Sequence, residues 1–430
     1  PLCDAVTGQA GGQARLEALQ RGNLFVVPLD DKRQWYRYHH LFADVLQMHL
    51  GAEQRDTVPE LHRRASTWFA QHGTPDDAIR HALAGEDFEA AAGLIEPAIP
   101  ELRRTRQEAT MLRWLRALPQ DEVHRRPVLC LHFAGALLLN GEYGEAESRL
   151  HDAERLLAGE AETGTGAPLA GDMIVVDQEE FRRVPGWIQV YRAGLALAQG
   201  DVTGTLHHAG LAREHMAVGD HLGHGAAAGL QGLAMWATGD LTAAHQFYVE
   251  CMTNLLAAGY VSDALGCTIT MADIRIAQGR LHDAMRHYLR GLELGGAGGG
   301  TPLRGTADML VGMCELALER NDVAAAREQL QAGEELGEFA GLPQNPYRRR
   351  VAQARICLAE GDAEGAIAQL DEAERVYMGD LSPNVRPIAA VRARVWAAEG
   401  RLAEAYAWAR ERGLAAGDEV SYLREYEHIT

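Results

Sequence analysis

The sequence has little of what marks a secreted or a membrane protein. Its six cysteines lie far apart and form no C-x-x-C pair, which argues against a disulfide framework or a zinc site and favours small core residues in a reducing compartment. No apolar run approaches the roughly 20 residues that a membrane-spanning helix needs, and no signal peptide is visible. We therefore expect a cytoplasmic protein without membrane contact.

Strand patterns are also scarce. Aromatic residues make up 6% of the chain, and Ala, Leu, Glu and Arg dominate its composition. Such a composition favours helix almost throughout. Because 430 residues exceed what one compact core usually holds, we expect an all-α protein built as several domains or as an elongated repeat array.

Positive charge is in short supply. Lys and Arg number 41 against 60 Asp and Glu, which gives a net charge of −19, and Lys32 is the only lysine of the sequence. A surface this acidic repels nucleic acid and anionic membranes. We therefore expect that this chain does not bind DNA by itself.

Motifs of catalysis and of cofactor binding are missing from the sequence. It contains no G-x-x-x-x-G-K-[ST] phosphate loop and no serine nucleophile in an elbow motif. The neighbours His39 and His40 would point about 100° apart on a helix, and His221 and His224 lack further ligands. The sequence thus predicts a chain that is not an enzyme and that has no catalytic residue, no metal site and no cofactor of its own.

A repeat of about forty residues organises the chain. Its marker is a Gly or Asn that ends one helix, a polar residue, an apolar residue, and Ala three positions further on. The intervals between successive markers are 39, 40, 42, 40 and 39 residues for Gly200, Gly239, Gly279, Asn321, Gly361 and Gly400. The Gly or Asn supplies a left-handed turn, and a following Asp caps the second helix. The spacing therefore predicts stacked helical hairpins.

Two stretches interrupt the array, and a third precedes it. Residues 159–180 and the Gly-rich residues 295–300 are predicted loops, either ordinary surface loops or lids over a pocket. Before the array, two short apolar stretches surround the polar residues 30–33, which predicts a β-hairpin. An amphipathic helix is expected to follow it over residues 39–50.

Several stretches resemble a known family. The first is residues 24–50, LFVVPLDDKRQWYRYHHLFADVLQMHL, and others are ELHRRA at 60–65, DAIRHAL at 77–83, LRWLRALP at 112–119, VSDALG at 261–266 and LPQNPY at 342–347. These are similar to the MalT-like, LuxR-type large ATP-binding transcriptional regulators of the STAND class. The resemblance covers essentially the whole chain.

This resemblance implies a domain plan. Residues 1–55 would be the end of a winged-helix domain with its β-hairpin, 56–126 a helical connector with degenerate repeats, and 127–430 a tetratricopeptide-like right-handed superhelix that senses a signal. An ATPase module holding ATP or ADP would precede this arm, and a helix-turn-helix that binds DNA would follow it. The implied partners are a small inducer, the ATPase module and other protomers upon activation.

The repeat also predicts which residues face a ligand. In tetratricopeptide-type hairpins the first helix faces the concave groove, so positions six and thirteen residues before each marker should lie there, about two turns apart. The candidates, including one further tryptophan, are Trp187, Trp236, Asp273, Asp308, Glu315, Arg348, Arg355 and Arg394. Tryptophans would stack on a ligand, carboxylates would accept its hydrogen bonds, and arginines would bind its anionic groups.

Two pairs of alternatives stay open at this point. The acids and arginines either contact a ligand or pair with one another between neighbouring repeats. The arm either senses a small inducer or is a scaffold that grips a peptide or protein without any inducer.

Overall fold

The computed structural model describes residues 1–159, 173–296, 301–379 and 382–430. Most of the first predicted loop, at 160–172, and most of the second, at 297–300, lie outside the described residues. The chain divides into two compact units, Pro1–Val184 and Pro185–Thr430. The predicted boundaries at 55/56 and 126/127 remain predictions.

The first unit is a set of helices and one small sheet. Its helices are α1 (Leu2–Thr7), α2 (Gly12–Arg21), α3 (His40–Glu53), α4 (Val58–His72), α5 (Pro75–Ala84), α6 (Phe88–Arg104), α7 (Glu108–Ala117), α8 (Gln120–His124), α9 (Pro127–Leu139) and α10 (Tyr143–Ala158). Residues 127–138 of α9 are all buried. That burial is what an uninterrupted apolar sequence predicts for a helix.

The predicted β-hairpin and its following helix are confirmed. Strands β1 (Val26–Pro28) and β2 (Tyr36–Tyr38) pair antiparallel, with Val26 opposite Tyr38. In the turn, the amide of Arg33 donates to the carbonyl of Asp30 at 3.1 Å. Helix α3 starts at His40 and ends at Glu53, close to the predicted 39–50.

The second unit consists of helices that pair in sequence order. They are α11 (Gln178–Ala198), within which the unit boundary falls, α12 (Val202–His215), α13 (His221–Thr238), α14 (Leu241–Ala257), α15 (Val261–Ala277), α16 (Leu281–Leu294), α17 (Thr306–Glu319), α18 (Val323–Glu335), α19 (Asn345–Ala359), α20 (Ala363–Arg375), α21 (Ile388–Ala398), α22 (Leu402–Glu411) and α23 (Glu425–Ile429). Six hairpins result, from α11–α12 to α21–α22. The all-α, tetratricopeptide-like architecture is confirmed.

The repeat marker forms the turn of each hairpin, as predicted. Every marker residue has a positive φ, from 59° at Asn321 to 85° at Gly239, which favours Gly or Asn because other side chains clash there. The Asp201, Asp240, Asp322 and Asp362 side chains each accept a hydrogen bond from an amide in the first turn of the second helix. The marker alanines Ala244, Ala284, Ala326 and Ala366 are fully buried, so the two helices approach closely.

The core runs from hairpin to hairpin. One apolar cluster joins α13, α14 and α15 through Trp236, Tyr248 and Met271, and the next joins α15, α16 and α17 through Ile269, Tyr288 and Leu316. Two further clusters continue the pattern toward α21. Each hairpin therefore buries its apolar faces against its neighbours, as in a repeat array. No helix among the described residues has the length and apolar character to cross a membrane.

Candidate functional site

Charged side chains from first helices of successive hairpins meet around one tyrosine. Arg348 on α19 reaches Asp273 on α15, with its Nη2 3.6 Å from Oδ1. The hydroxyl of Tyr288, on α16, donates to the same Oδ1 at 3.3 Å. Together with Asp308 and Glu315 on α17, these residues form what we call the central cluster.

Tyr288 is the buried aromatic residue of the central cluster. Its side chain is fully buried, and a Cβ on Gly312 would overlap its ring. The ring therefore fits only because α17 carries glycine at that position.

Asp308 is also fully buried. It accepts a hydrogen bond from the amide of Leu342 at 2.8 Å, which ties the segment before α19 to the start of α17. Burial raises its pKa, while the Arg348 charge and the Leu342 amide lower it, with a net upward shift. Asp308 thus holds the backbone in place through one carboxylate oxygen, and its contact with a ligand stays a prediction.

The remaining pKa shifts of the cluster have opposing causes. Burial raises the pKa of Asp273, and the Arg348 charge only partly offsets this. Burial also raises the pKa of Tyr288, and the Asp273 carboxylate adds to the effect. Burial lowers the pKa of Arg348, but Asp273 and the other negative groups around it raise it on balance. The Arg348 guanidinium therefore compensates several acidic groups, a pattern that often accompanies binding sites.

Of the two alternatives for the acids and arginines, pairing between repeats is seen for two arginines. Besides the contact of Arg348 with Asp273, Arg355 Nη2 on α19 lies 2.7 Å from Glu319 Oε1 on α17. Arg394 instead lies over the ring of Tyr426, 5.5 Å from its centroid. The structure thus gathers Asp273, Asp308, Glu315 and Arg348, but leaves Arg355 and Arg394 outside this group.

The two candidate tryptophans are core residues. Trp187 is 3% exposed and Trp236 is 4% exposed. Trp187 packs beside Tyr191, with 5.6 Å between ring centroids. Each ring is covered by neighbouring side chains in this structure, and the stacking of either ring on a ligand stays a prediction.

Trp236 is covered from a distant part of the chain. Its Nε1 donates to the hydroxyl of Tyr422 at 3.1 Å. Burial raises the pKa of Tyr422, and among the smaller effects the Arg386 charge lowers it. The same Arg386 charge lowers the pKa of Asp273, so Arg386 lies within electrostatic range of both the central cluster and Tyr422.

Sequence reasoning missed Tyr288, Arg386 and Tyr422. Tyr288 could have been found from the repeat, because Tyr248 occupies the same position nine residues after its own marker. Arg386 and Tyr422 lie outside the repeat spacing, so no local pattern identifies them.

The histidines weighed as metal ligands have other partners. The rings of His39 and His40 stack on each other at 4.4 Å. His221 Nδ1 lies 3.0 Å from the side-chain oxygen of Asn254, and His224 Nε2 lies 3.1 Å from the carbonyl of Ala217. His221 and His224 thus contact two different protein groups, so their geometry gives no support to a shared ion.

Comparison with known proteins adds two family matches. Residues 186–430 match the MalT-like TPR region, and residues 1–58 match the MalT winged helix domain. The first match alone covers more than half of the chain.

Three individual proteins are similar to this chain. The serine/threonine-protein kinase PknK of Mycobacterium tuberculosis is 27% identical over 86% of this chain and 32% of its own length. The HTH-type transcriptional regulator MalT of Cronobacter sakazakii is 28% identical over 66% of this chain and 29% of its own length. A STAND protein with a tetratricopeptide repeat sensor from Pyrococcus horikoshii has a similar fold, with a TM-score of 0.59, 13% identity, and coverage of 95% of this chain and 60% of that one. The chain thus spans about a third of the length of these curated relatives.

Proposed function

Because the chain belongs to the family of MalT-like TPR regions, we propose that it is the signal-sensing arm of an ATP-dependent, LuxR-type transcriptional regulator. In this proposal the arm binds a small inducer and thereby controls self-assembly and transcription. It acts in the cytoplasm, catalyses no reaction and holds no cofactor itself. An ATPase module with ATP or ADP and a helix-turn-helix that binds DNA belong to other parts of the full-length protein.

The relatives support the proposal of a sensing arm more strongly than they support the proposal that the arm controls transcription. One similar protein is named as a kinase and another as an HTH-type transcriptional regulator, so related arms accompany different outputs. The arm is what these proteins share with this chain. The ATPase and the helix-turn-helix are proposed from the MalT relative and from the STAND protein of similar fold.

The observation that carries the proposal is the central cluster. Asp273, Glu315 and Arg348 lie on three successive first helices, and the pKa values of Asp273 and Arg348 are displaced by burial and by each other's charge. A polar inducer that hydrogen-bonds to Glu315 or to the guanidinium of Arg348 would change the charge balance between three hairpins at once. Such a ligand shifts a regulator between two states by the difference in its affinity for them.

Thermal-shift measurements on the whole chain test the inducer. A panel of sugars, sugar phosphates, amino acids and dicarboxylic acids is applied to wild type, to Glu315→Gln, and to the control Glu328→Gln, which lies exposed on α18. We expect at least one compound to raise the Tm through binding to the folded state. Its affinity should fall about tenfold in Glu315→Gln, as expected for one charge-assisted hydrogen bond, and should be unchanged in Glu328→Gln.

The result that would overturn the proposal is equally concrete. If no compound stabilises wild type, or if stabilisation is the same in both variants, the central cluster is only an ion-pair network between repeats.

The second candidate function is a scaffold that binds a peptide or a protein without a small inducer. One specific observation favours it, namely that a segment of the chain itself, at Tyr422, lies against a first helix of the array. Peptide recognition by a helical groove needs only such contacts along the groove.

A further inference from the structure

The last part of the chain returns to the beginning of the second unit. Residues 415–430, called here the tail, include a 3₁₀ turn at Tyr422–Arg424 and helix α23. Tyr422 contacts Trp236 on α13, which is 186 positions away in sequence. The hairpin that carries Trp236 lies four hairpins before α21–α22, which directly precedes the tail.

Tyr422 fits against a specific piece of backbone. A Cβ on Gly239 would lie only 3.2 Å from Cγ and 3.4 Å from Cδ2 of the Tyr422 ring. A Cβ on the equivalent marker glycines Gly200, Gly361 or Gly400 would meet no other group within 4 Å. All of these glycines need positive φ for the turn, but among the four only Gly239 also has an aromatic ring packed on it. Trp236 and Gly239 are called here the aromatic site.

The other end of the tail is held by charge. Glu427 is 3% exposed and accepts hydrogen bonds from Nε of Arg412 at 2.8 Å and from Nε of Arg424 at 3.1 Å. Arg412 caps the end of α22, and Arg394 on α21 lies over Tyr426. The tail therefore contacts α13 through Tyr422. Five residues later it contacts Arg412, at the end of the last hairpin, through Glu427.

The tail packs on the array through Tyr422 and Tyr426 but leaves other apolar side chains exposed. Val420 is 53% exposed, Leu423 39% and Ile429 66%, so the apolar neighbours of Tyr422 stay in water. The contact with the array at α13 rests on one ring and one hydrogen bond. An occupant of this kind can be exchanged for another that offers the same groups.

We propose that the aromatic site is a peptide-binding site, occupied in this structure by the chain's own Tyr422, whose ligand is a short helical segment with a tyrosine followed about five residues later by a carboxylate. This inference rests on the second candidate function, peptide recognition by the arm, and names the class of peptide that the arm would bind. The site supplies an apolar surface at Gly239 and an N–H donor from Trp236, and Arg412 lies further along the array. These groups match a phenol ring, its oxygen and an acidic residue in that order.

The test uses the whole chain and a probe of known sequence. The probe is a fluorescein-labelled peptide with the sequence of residues 419–428, EVSYLREYEH, and its binding is followed by fluorescence anisotropy. Tyr422→Ala empties the aromatic site. Tyr406→Ala is the matched control, because Tyr406 lies 65% exposed on α22.

We expect Tyr422→Ala to bind the probe at least tenfold more tightly than wild type, since the internal competitor is gone. Tyr406→Ala should behave as wild type. A probe in which Ala replaces the tyrosine equivalent to Tyr422 should lose at least tenfold in affinity for the Tyr422→Ala chain.

A pair of glycine variants separates occupancy of the site from general destabilisation. In the Tyr422→Ala background, Gly239→Ala and Gly361→Ala impose the same backbone strain, because their φ values are 85° and 81°, but only the first adds a methyl group within the site. Probe binding should fall at least tenfold with Gly239→Ala and stay within twofold with Gly361→Ala.

Two results would overturn the inference. One is equal binding, within twofold, of the probe to wild type and to Tyr422→Ala, and the other is equal binding to the two glycine variants. Both readouts are independent of the Glu315-dependent Tm shift of small molecules. Failure of the peptide site and failure of the small-inducer proposal can therefore be told apart.

Discussion

At the scale of single residues, His245 and His287 form a pair of rings that is held neutral. His245 is 9% exposed, its Nδ1 accepts a hydrogen bond from Nη2 of Arg275 at 3.2 Å, and its Nε2 lies 3.3 Å from Nε2 of His287. Burial, and to a smaller extent the Arg275 charge and His287, lower the pKa of His245 to about 4. A proton on Nδ1 would face the guanidinium, so the native state disfavours it.

A pH dependence of stability follows. Between the ordinary histidine pKa of about 6.5 and the native value of about 4, the unfolded chain binds a proton that the native chain does not. Stability therefore falls as the pH falls through this window. Wild type should lose free energy of unfolding between pH 7.5 and 5.5. We expect this loss to be smaller by about 1 kcal/mol in His245→Gln.

Urea unfolding at the two pH values measures this effect. His282→Gln, at an exposed position on the same helix as His287, serves as control and should keep the wild-type pH dependence. Identical pH dependence in wild type and His245→Gln would show that the histidine pair has no such role.

At the scale of elements, each hairpin turn combines a left-handed residue with a cap. In the α17–α18 turn, Asn321 has a φ of 59° and Asp322 accepts a hydrogen bond from the amide of Ala325 at 3.0 Å. The cap satisfies one of the amides that a helix start leaves without a partner. The turn therefore ends α17 with Asn321 and caps the start of α18 with Asp322, and both features stabilise the hairpin.

Replacing this cap should have a measurable effect. We expect Asp322→Ala to lower the free energy of unfolding by about 1 kcal/mol, the usual effect of losing an N-cap, and Asp322→Asn to retain most of it. Urea unfolding compares these variants with Glu328→Ala, an exposed change on the same helix that should stay within about 0.5 kcal/mol of wild type. An Asp322→Ala chain as stable as wild type would contradict the capping role.

At the scale of the whole molecule, the net charge of −19 governs long-range behaviour. Affinity for DNA comes largely from phosphate contacts by basic residues, and among the described contacts several arginines are already paired with carboxylates, as in Arg213 with Glu250 and Arg392 with Asp371. These paired arginines therefore do little to offset the acidic surface.

This balance predicts the outcome of a gel-shift measurement. At 150 mM salt, the chain at about 10 µM should not retard a duplex of random sequence, because weak non-specific binding already needs a basic surface. A basic DNA-binding protein on the same gel controls for the assay. A retarded band for this chain would contradict the assignment of DNA binding to another part of the regulator.

The repeat made much of this molecule predictable from sequence alone. Helix periodicity, marker spacing and capping are local properties, because a left-handed turn needs Gly or Asn and a cap needs Asp wherever they occur. They determined the all-α fold, the hairpin turns at Gly239 and Asn321, and the gathering of Asp273, Glu315 and Arg348 on neighbouring first helices.

Tertiary structure alone decided which of those residues are accessible. Burial depends on what the rest of the chain places on top of a helix, and this is why Trp236 lies under Tyr422 and Asp308 holds the amide of Leu342. The partners are 186 and 34 residues apart in sequence, beyond the reach of any local pattern. Residue type and spacing determined where the helices form. Non-local packing of the chain determined which side chains are covered at Trp236 and Asp308.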